Sequence, residues 1–150
     1  MTMVVTGTTE LKRKLKSLGA SMEDAIFGGV ILTANDIRTD AVKSIQKHSP
    51  GNQVQRSRQG GGTYTHTAAA KGGAPNSDTG NLVESIAVEP HRSGIFALVG
   101  SNLDYAGFLE FGTSKMDARP WLEPAPRNNA DNLQRNISAA ADALIQRKSK

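Results

Sequence analysis

A long helical pattern of apolar residues runs through ELKRKLKSLGASMEDAIFGGVILTANDIRTDAVKSIQK, residues 10–47. Its apolar residues recur at steps of three or four: Leu11, Leu15, Leu18, Met22, Ile26, Val30, Ala34, Ile37, Ala41 and Ile45. This spacing places them on one face of a helix, so it predicts one long amphipathic helix of roughly ten turns. Thr8 or Thr9 is predicted to cap its first turn.

Glycines interrupt this helical pattern at two places. Gly19 followed by Ser21 predicts a break, with Ser21 capping a second segment and Asp24 standing three residues further on. The pair Gly28-Gly29 weakens a helix by about 1 kcal/mol per glycine relative to alanine. Two interpretations of that pair stay open: the close approach of a partner helix, or an ordinary structural role in a helix kink or in the packing of small residues.

The long helix is predicted to end at Ser49-Pro50-Gly51, because proline cannot continue it. Residues 51–77 are rich in glycine and lack sustained periodicity, which predicts a flexible loop or an extended hairpin with a short strand at 63–67. Such a segment is expected to be mobile in an isolated subunit and to order on docking. Residues 85–89 and 95–99 predict a β-hairpin, the second strand being a buried run.

The remaining residues predict short helical turns at 81–85 and 106–111. A last amphipathic helix is predicted through Leu133, Ile137 and Leu144, ending near Arg147 with a flexible tail at about 147–150. This order predicts an α+β fold, in which a long N-terminal helix and a C-terminal helix pack on a small antiparallel sheet. The length of 150 residues predicts a single domain spanning 1–150.

Composition removes several classes of protein. The chain has no cysteine, which excludes disulfides and thiolate metal sites and is compatible with a reducing cytosol. No apolar run of about 18 residues is present, so no membrane span is predicted. The net charge of +4 permits contact with polyanions without identifying one.

Basic residues are concentrated where acidic ones are missing. Residues 41–77 contain no Asp or Glu, and their Lys and Arg residues are Lys43, Lys47, Arg56, Arg58 and Lys71. Three interpretations stay open for this uncompensated charge: phosphate contacts that do not read sequence, docking on an acidic protein surface, or a solvated loop.

No catalytic constellation is predicted. The three histidines lack the spacing of a zinc-binding helix, and the glycines at 60–62 form no phosphate-binding motif. Asp78-Thr79-Gly80 matches the tripeptide of aspartic proteases, which need two carboxylates sharing one proton. Its polar surroundings favour a local role, in which Asp78 and Thr79 accept backbone N–H bonds and start a helical turn. We therefore expect no enzyme, cofactor or metal.

The stretch YAGFLEFGTSKMDARPWLEPA, residues 105–125, carries the most specific pattern. It resembles the tail-component family of tailed bacteriophages typified by the tenth gene product of phage HK97. Members carry an aromatic residue, an apolar-Glu-Phe-Gly-Thr core and an Arg-Pro-aromatic-Leu-Pro-Ala segment. The likeness extends upstream to residues 78–86 and covers most of residues 10–145. Two departures are Trp121 where phenylalanine is usual, and a longer segment at 51–77.

The resemblance implies a structural virion protein, a head–tail connector (neck) or tail-completion subunit without catalytic residues. Such subunits form rings between the portal-side connector and the tail tube, at the head–tail junction, after assembly in the host cytoplasm. The implied partners are copies of the same chain, six or twelve in a ring, the portal-side connector or stopper, and the tail terminator or tail tube protein. Non-specific contact with genomic DNA in the channel is also expected, and no membrane.

The resemblance and the charge pattern together supply candidate site residues. The candidate subunit interface comprises Tyr105, Phe108, Glu110, Phe111, Gly112, Arg119, Pro120, Trp121 and Leu122. For Trp121 the alternative is core packing. Glu110 is expected to pair with a base, Arg119 or Lys115. The candidate DNA-channel or docking loop comprises Lys43, Lys47, Arg56, Arg58 and Lys71, and the alternative function is a nucleic-acid-binding module built on residues 41–77.

Overall fold

The first element, α1, is one continuous helix. The computed structural model of the protein describes residues 8–148, with side chains for residues 16–147. Helix α1 spans Thr8–Gln46, which is 39 residues and about 58 Å at 1.5 Å per residue. The long helix is confirmed, but the predicted break after Gly19 is wrong. The Ser21 hydroxyl instead donates to the Ser17 carbonyl at 2.9 Å, within the helix.

Some predictions for α1 fall beyond what the structure describes. Thr8 and Thr9 already have helical backbone. Their side chains, and therefore the predicted cap, lie outside the described residues, as do the side chains of Leu11 and Leu15.

Nine shorter elements follow in the described part of the chain. They are β1 (Gly51–Ser57), β2 (Thr63–Ala69), α2 (Asn81–Ser85), β3 (Ile86–His91), a 3-10 turn (Arg92–Gly94), β4 (Phe96–Ser101), α3 (Asp104–Phe111), α4 (Pro124–Asn128) and α5 (Ala130–Lys148). The strands form two antiparallel ribbons, β1–β2 and β3–β4. The predicted α+β class is confirmed. Residues 147 and 148 are helical, and the rest of the predicted tail lies outside the described residues.

The apolar core lies where α1 covers the β3–β4 ribbon and meets the segment 105–125. Its buried residues come from five parts of the chain: Ala41, Ile45, Leu82, Ile86, Ala106, Trp121 and Ala125. Ile45 and Ile86 are both 1% exposed. Burial of side chains of this size stabilises the fold by roughly 2–3 kcal/mol each. The core therefore joins α1, β3 and the residue 105–125 motif.

Helix α5 packs along α1, and the two come closest at Gly29. A Cβ atom at Gly29 would lie 2.8 Å from the Cα, N and Cγ1 atoms of Ile137, whereas one at Gly28 would meet nothing within 4 Å. A glycine is required here because a methyl group would push the helices apart. The helix that approaches Gly29 is thus the chain's own α5, which is the packing of small residues within one subunit.

Beside this crossing, asparagines on α4–α5 bind polar groups on α1. Asn129 Nδ2 donates to Asp40 at 2.7 Å. Asn136 Nδ2 donates to the Thr33 hydroxyl at 3.1 Å. These bonds satisfy polar groups that are partly or fully buried, and they specify the rotation of α5 on α1.

Residues 51–69 form a hairpin, which we call the arm. Strand β1 pairs with β2 from Gly51↔Ala69 to Ser57↔Thr63. The turn closes with the Arg58 N–H donating to the Gly62 carbonyl at 2.9 Å. Gly60, Gly61 and Gly62 all have φ between 85° and 100°, a backbone region that favours glycine. Of the two predicted alternatives, a loop or a hairpin, the structure has the hairpin.

Candidate assembly interface

Trp121 belongs to the interior of the residue 105–125 motif. It is 3% exposed, and its Nε1–H donates to the Ala106 carbonyl on α3 at 3.2 Å. The Arg119 N–H donates to the Leu109 carbonyl at 2.7 Å. These bonds fold the second half of the motif back onto α3. Trp121 is therefore a core residue, which is the alternative that sequence analysis kept beside the interface.

Glu110 binds backbone rather than a base. One carboxylate oxygen accepts the N–H groups of Trp121 at 2.9 Å and Leu122 at 3.0 Å, and the other accepts that of Glu123 at 2.8 Å. Three converging N–H donors hold a carboxylate strongly, because such bonds are charge-assisted. Glu110 on α3 thus fixes the position of residues 121–123, which lead into α4.

The predicted ion pair between Glu110 and Arg119 is wrong. The Nε atom of Arg119 donates to the Ala69 carbonyl at the base of the arm, at 2.9 Å. Lys115 is exposed and does not bind Glu110 either. Glu110 and Arg119 instead form hydrogen bonds with backbone groups. The bond of Arg119 joins the motif to the arm.

Gly112 has a conformational task at the end of α3. Its φ of 75° is positive, and a Cβ atom there would lie 2.7 Å from Ala118 N and Met116 O. Its own N–H closes α3 by donating to the Phe108 carbonyl at 2.9 Å. Pro120 is half-buried, and Leu122 packs against the core. Gly112, Pro120 and Leu122 therefore build the motif more than they display a surface.

Three aromatic side chains of the motif point outward. Tyr105 is 41% exposed, Phe108 57% and Phe111 83%. They stand three residues apart on α3, so they occupy neighbouring turns on one side of the helix. We call them the aromatic row. An exposed cluster of large apolar side chains marks a contact surface more often than scattered ones do.

A second apolar surface, which the sequence patterns did not predict, lies on β4. Phe96 and Leu98 are 44% and 53% exposed, while Val99 packs against the core. The His91 ring stacks on Phe96 with centroids 4.7 Å apart. The residue 95–99 run was interpreted as a buried strand, but alternate residues of a strand point to opposite faces. That alternation is the signal that could have revealed this surface.

The basic stretch is compensated in space. Arg56 Nη1 lies 3.1 Å from Asp78 Oδ2, and Lys71 Nζ lies 3.1 Å from Asp117 Oδ1. The Arg58 guanidinium stands over the Tyr64 ring, 5.6 Å from its centroid. The predicted absence of compensation is thus wrong for Arg56 and Lys71, because acidic residues from outside residues 41–77 fold against them.

The other two basic residues of the stretch lie elsewhere. Lys43 and Lys47 are exposed at the end of α1. The five basic residues therefore do not form one free loop.

Asp78 anchors the arm instead of capping α2. Its carboxylate accepts the Tyr64 hydroxyl at 2.6 Å and lies 3.6 Å from His66 Nδ1. The bond to Asp78 raises the pKa of Tyr64 above its usual value of 10.0, with desolvation and the Asp78 charge adding to the effect. The local role predicted for Asp78 is wrong. Thr79 does accept the Asn81 N–H, at 3.5 Å.

Other kinds of functional site would be a ligand cleft, a metal site or a membrane-spanning helix. A cleft of about 340 Å³ lies between the arm and α3, and its walls include Arg56, His66, Asp78, Tyr105 and Arg119. In the described part of the chain, no group of three acidic or histidine side chains is placed to hold a metal ion. None of the helices described is long and apolar enough to cross a membrane.

A family model matches residues 9–112, and its description is bacteriophage HK97-gp10 tail component. No curated protein and no solved structure matches the chain. The matched range runs from α1 through α3, so residues 113–125 of the motif lie beyond it. Because the match covers more than half of the 150 residues, the chain belongs to the HK97-gp10-like family of bacteriophage tail components, structural proteins of the virion.

Proposed function

We propose that this tail component is a head–tail connector (neck) or tail-completion subunit, which forms a ring between the portal-side connector and the tail tube. It acts through shape and contact rather than catalysis. Its partners are copies of itself, six or twelve in the ring, the connector or stopper on one side, and the tail terminator or tail tube protein on the other. The observation that carries the proposal is the aromatic row on α3.

Hydrogen bonds from the rest of the motif position the aromatic row. Glu110 and Trp121 attach the other side of α3 to the following segment, and Gly112 ends the helix in a conformation that favours glycine. Aromatic side chains dominate the binding energy of many protein interfaces, above all when they are already positioned before binding. The motif therefore supplies what a subunit interface needs.

A ring places a further demand on the subunit. Closed head-to-tail rings need two different surfaces of one chain that fit each other. The aromatic row and the exposed face of β4 with Phe96 and Leu98 are two separate apolar surfaces on the described chain. Their presence supports an assembling subunit rather than a monomer.

The test uses phage that carry the double substitution Phe108→Ser and Phe111→Ser. Both side chains are exposed, so the subunit is expected to fold, while heads and tails fail to join. The matched control is Leu32→Ser, since Leu32 on α1 is 56% exposed, close to the value for Phe108.

Electron microscopy of the particles and the molar mass of the purified subunit, alone and mixed with its neck partners, are the measurements. Wild-type particles should show the chain as a closed ring on the portal axis. Absence of the chain from the neck would overturn the proposal. Normal joining by the double variant would show that the aromatic row does not carry it.

The alternative is nucleic-acid binding by residues 41–77. The acidic partners of Arg56 and Lys71 weaken it, because paired cations release fewer counterions from DNA. Duplex binding that falls steeply with salt, and that is lost in the triple variant Arg56→Gln, Arg58→Gln, Lys71→Gln, would support this alternative. Undetectable binding would remove it.

A further inference from the structure

The hydrogen-bond register of the arm identifies which backbone groups point out of it. The Ala70 N–H donates to Pro50 O at 3.0 Å, and the Arg58 N–H donates to Gly62 O at 2.9 Å. Pairs alternate between bonded and non-bonded along an antiparallel ladder. The N–H and C=O groups of β1 residues 51, 53, 55 and 57, and of β2 residues 63, 65, 67 and 69, therefore face outward.

The two outer edges of the arm differ. On β2, the Thr67 carbonyl accepts Asn76 Nδ2 at 2.8 Å, and the Ala69 carbonyl accepts Arg119 Nε at 2.9 Å. On β1, within residues 8–148, the outward backbone groups have no hydrogen-bond partner. Strand β1 also lacks the proline and lysine that commonly protect an exposed edge. The β1 edge is therefore open.

The β3–β4 ribbon has the same asymmetry. The Ile86 carbonyl accepts Arg38 Nε at 2.7 Å, and Pro90 on the same edge has no N–H to give. The alternation places residues 97, 99 and 101 of β4 on the opposite edge. Their outward backbone groups have no hydrogen-bond partner in the described part of the chain. Each ribbon thus has one occupied or blocked edge and one open edge.

We propose that β1 of one subunit adds to the open edge of β4 in the next copy of the chain. The proposal rests on the ring proposed above. Pairing β1 with β4 uses both open edges of every subunit and is head-to-tail, as a closed ring requires. A contact between two β1 strands would leave both β4 edges unused. A third and fourth strand would also stabilise an arm that, as a two-stranded hairpin, is marginal in water.

Cysteine cross-linking tests the pairing directly, because the natural chain has no cysteine to interfere. Particles are assembled with the double variant Gln53→Cys, Ala97→Cys and treated with a short thiol cross-linker. Neighbouring strands place side chains close together, so a ladder of linked subunits is expected on a denaturing gel. The two single variants should give no ladder. Dimers from Gln53→Cys alone would overturn the proposal in favour of β1–β1 pairing, and no linkage in assembled particles would also overturn it.

Proline supplies a second readout. Gln53→Pro removes one outward N–H without removing a bond inside the arm, and proline is tolerated at such edge positions. We expect at least a tenfold loss of subunit association, measured by sedimentation, whereas Gln53→Ala retains the N–H and associates normally. Circular dichroism checks that both variants are folded.

The two proposals can fail separately. If Gln53→Pro rings assemble like wild type in the neck, the strand pairing is wrong and the neck function stands. If the wild-type chain is absent from the neck, the proposed function itself fails. Linkage of the double variant in an assembly elsewhere in the virion would then support the pairing alone.

Discussion

The two ribbons are similar in size and antiparallel, yet they are held in opposite ways. The β3–β4 ribbon lies under α1, and Ile86 and Val99 take part in the apolar core. The arm supplies no residue to that core cluster. Polar contacts attach it instead, from Asn76 and Arg119 near its base and from Asp78 near its turn.

The contacts of the two ribbons therefore have different effects: those of β3–β4 stabilise the fold, whereas those of the arm mainly position it. Apolar burial makes β3–β4 part of the cooperative unit, so it is expected to open only when the whole chain unfolds. Hydrogen bonds and ion pairs orient the arm but contribute little net stability each, about 0.5–1.5 kcal/mol for a neutral bond. The arm is therefore expected to exchange its amide hydrogens faster than β3–β4 in the free subunit.

The largest effect is expected from Ile86→Ala, which removes a fully buried side chain beneath β3–β4. Such substitutions cost about 2–5 kcal/mol, because the cavity adds to the lost burial. Urea unfolding should show this loss in the global free energy of unfolding. Val54→Ala, at the half-buried position of β1, should cost less than about 1 kcal/mol. Similar losses for the two variants would remove the contrast between the ribbons.

Gly51→Ala is expected to open the arm alone. A Cβ atom at Gly51 would overlap the Ala68 carbonyl, whereas one at Gly100 on β4 would meet nothing within 4 Å. Overpacking of this kind costs about 1–3 kcal/mol. Hydrogen exchange should rise across residues 51–69 and stay unchanged in β3–β4. Gly100→Ala is the matched control, and equal behaviour of the two variants would contradict the register.

Asp78→Ala is expected to lower the pKa of Tyr64 toward 10, because the bond to Asp78 is the main cause of its elevation. The elevated pKa means that the neutral phenol is favoured in the folded state. This contribution is fully present below pH 10 and is lost as the pH rises through the raised pKa. Ultraviolet titration in a Tyr105→Phe background, where Tyr64 is the remaining tyrosine, measures it. Asp117→Ala should leave the titration unchanged.

The smallest effect is expected at the foot of the arm, from Lys71→Gln. The side chains of Lys71 and Asp117, which form an ion pair, are 78% and 58% exposed. Exposed ion pairs contribute about 0–1 kcal/mol. Thermal unfolding should therefore barely change, and a loss comparable to that of Gly51→Ala would show that this pair helps to hold the arm.

Local patterns predicted the elements that have strong periodicity. The stripe through Ile37, Ala41 and Ile45 predicted α1, and the alternation of residues 85–89 with the apolar run of residues 95–99 predicted the β3–β4 ribbon. Strand β1 carries one apolar residue, Val54, so periodicity had nothing to detect there. Its pairing depends on the glycine turn and on Asn76, which lies beyond the hairpin in sequence.

The partners of the polar site residues could not be predicted in the same way. Glu110 and Arg119 are near each other in sequence and opposite in charge, which favoured an ion pair. Each bonds backbone groups that only the folded chain brings into reach, at residues 121–123 and at Ala69. Likewise the motif could be recognised as a unit, but its division into a buried half and the aromatic row depends on which side of α3 meets the core.

The length of α1 makes this protein longer than its mass requires. A compact chain of 150 residues has a radius of gyration of about 15 Å, so a rod of about 58 Å reaches well past such a body. Seven extra residues placed near Gly19 would lengthen the molecule by about 10 Å while keeping the apolar stripe nearly in phase. Insertions of this kind can therefore lengthen α1 during evolution and leave the rest of the subunit unchanged.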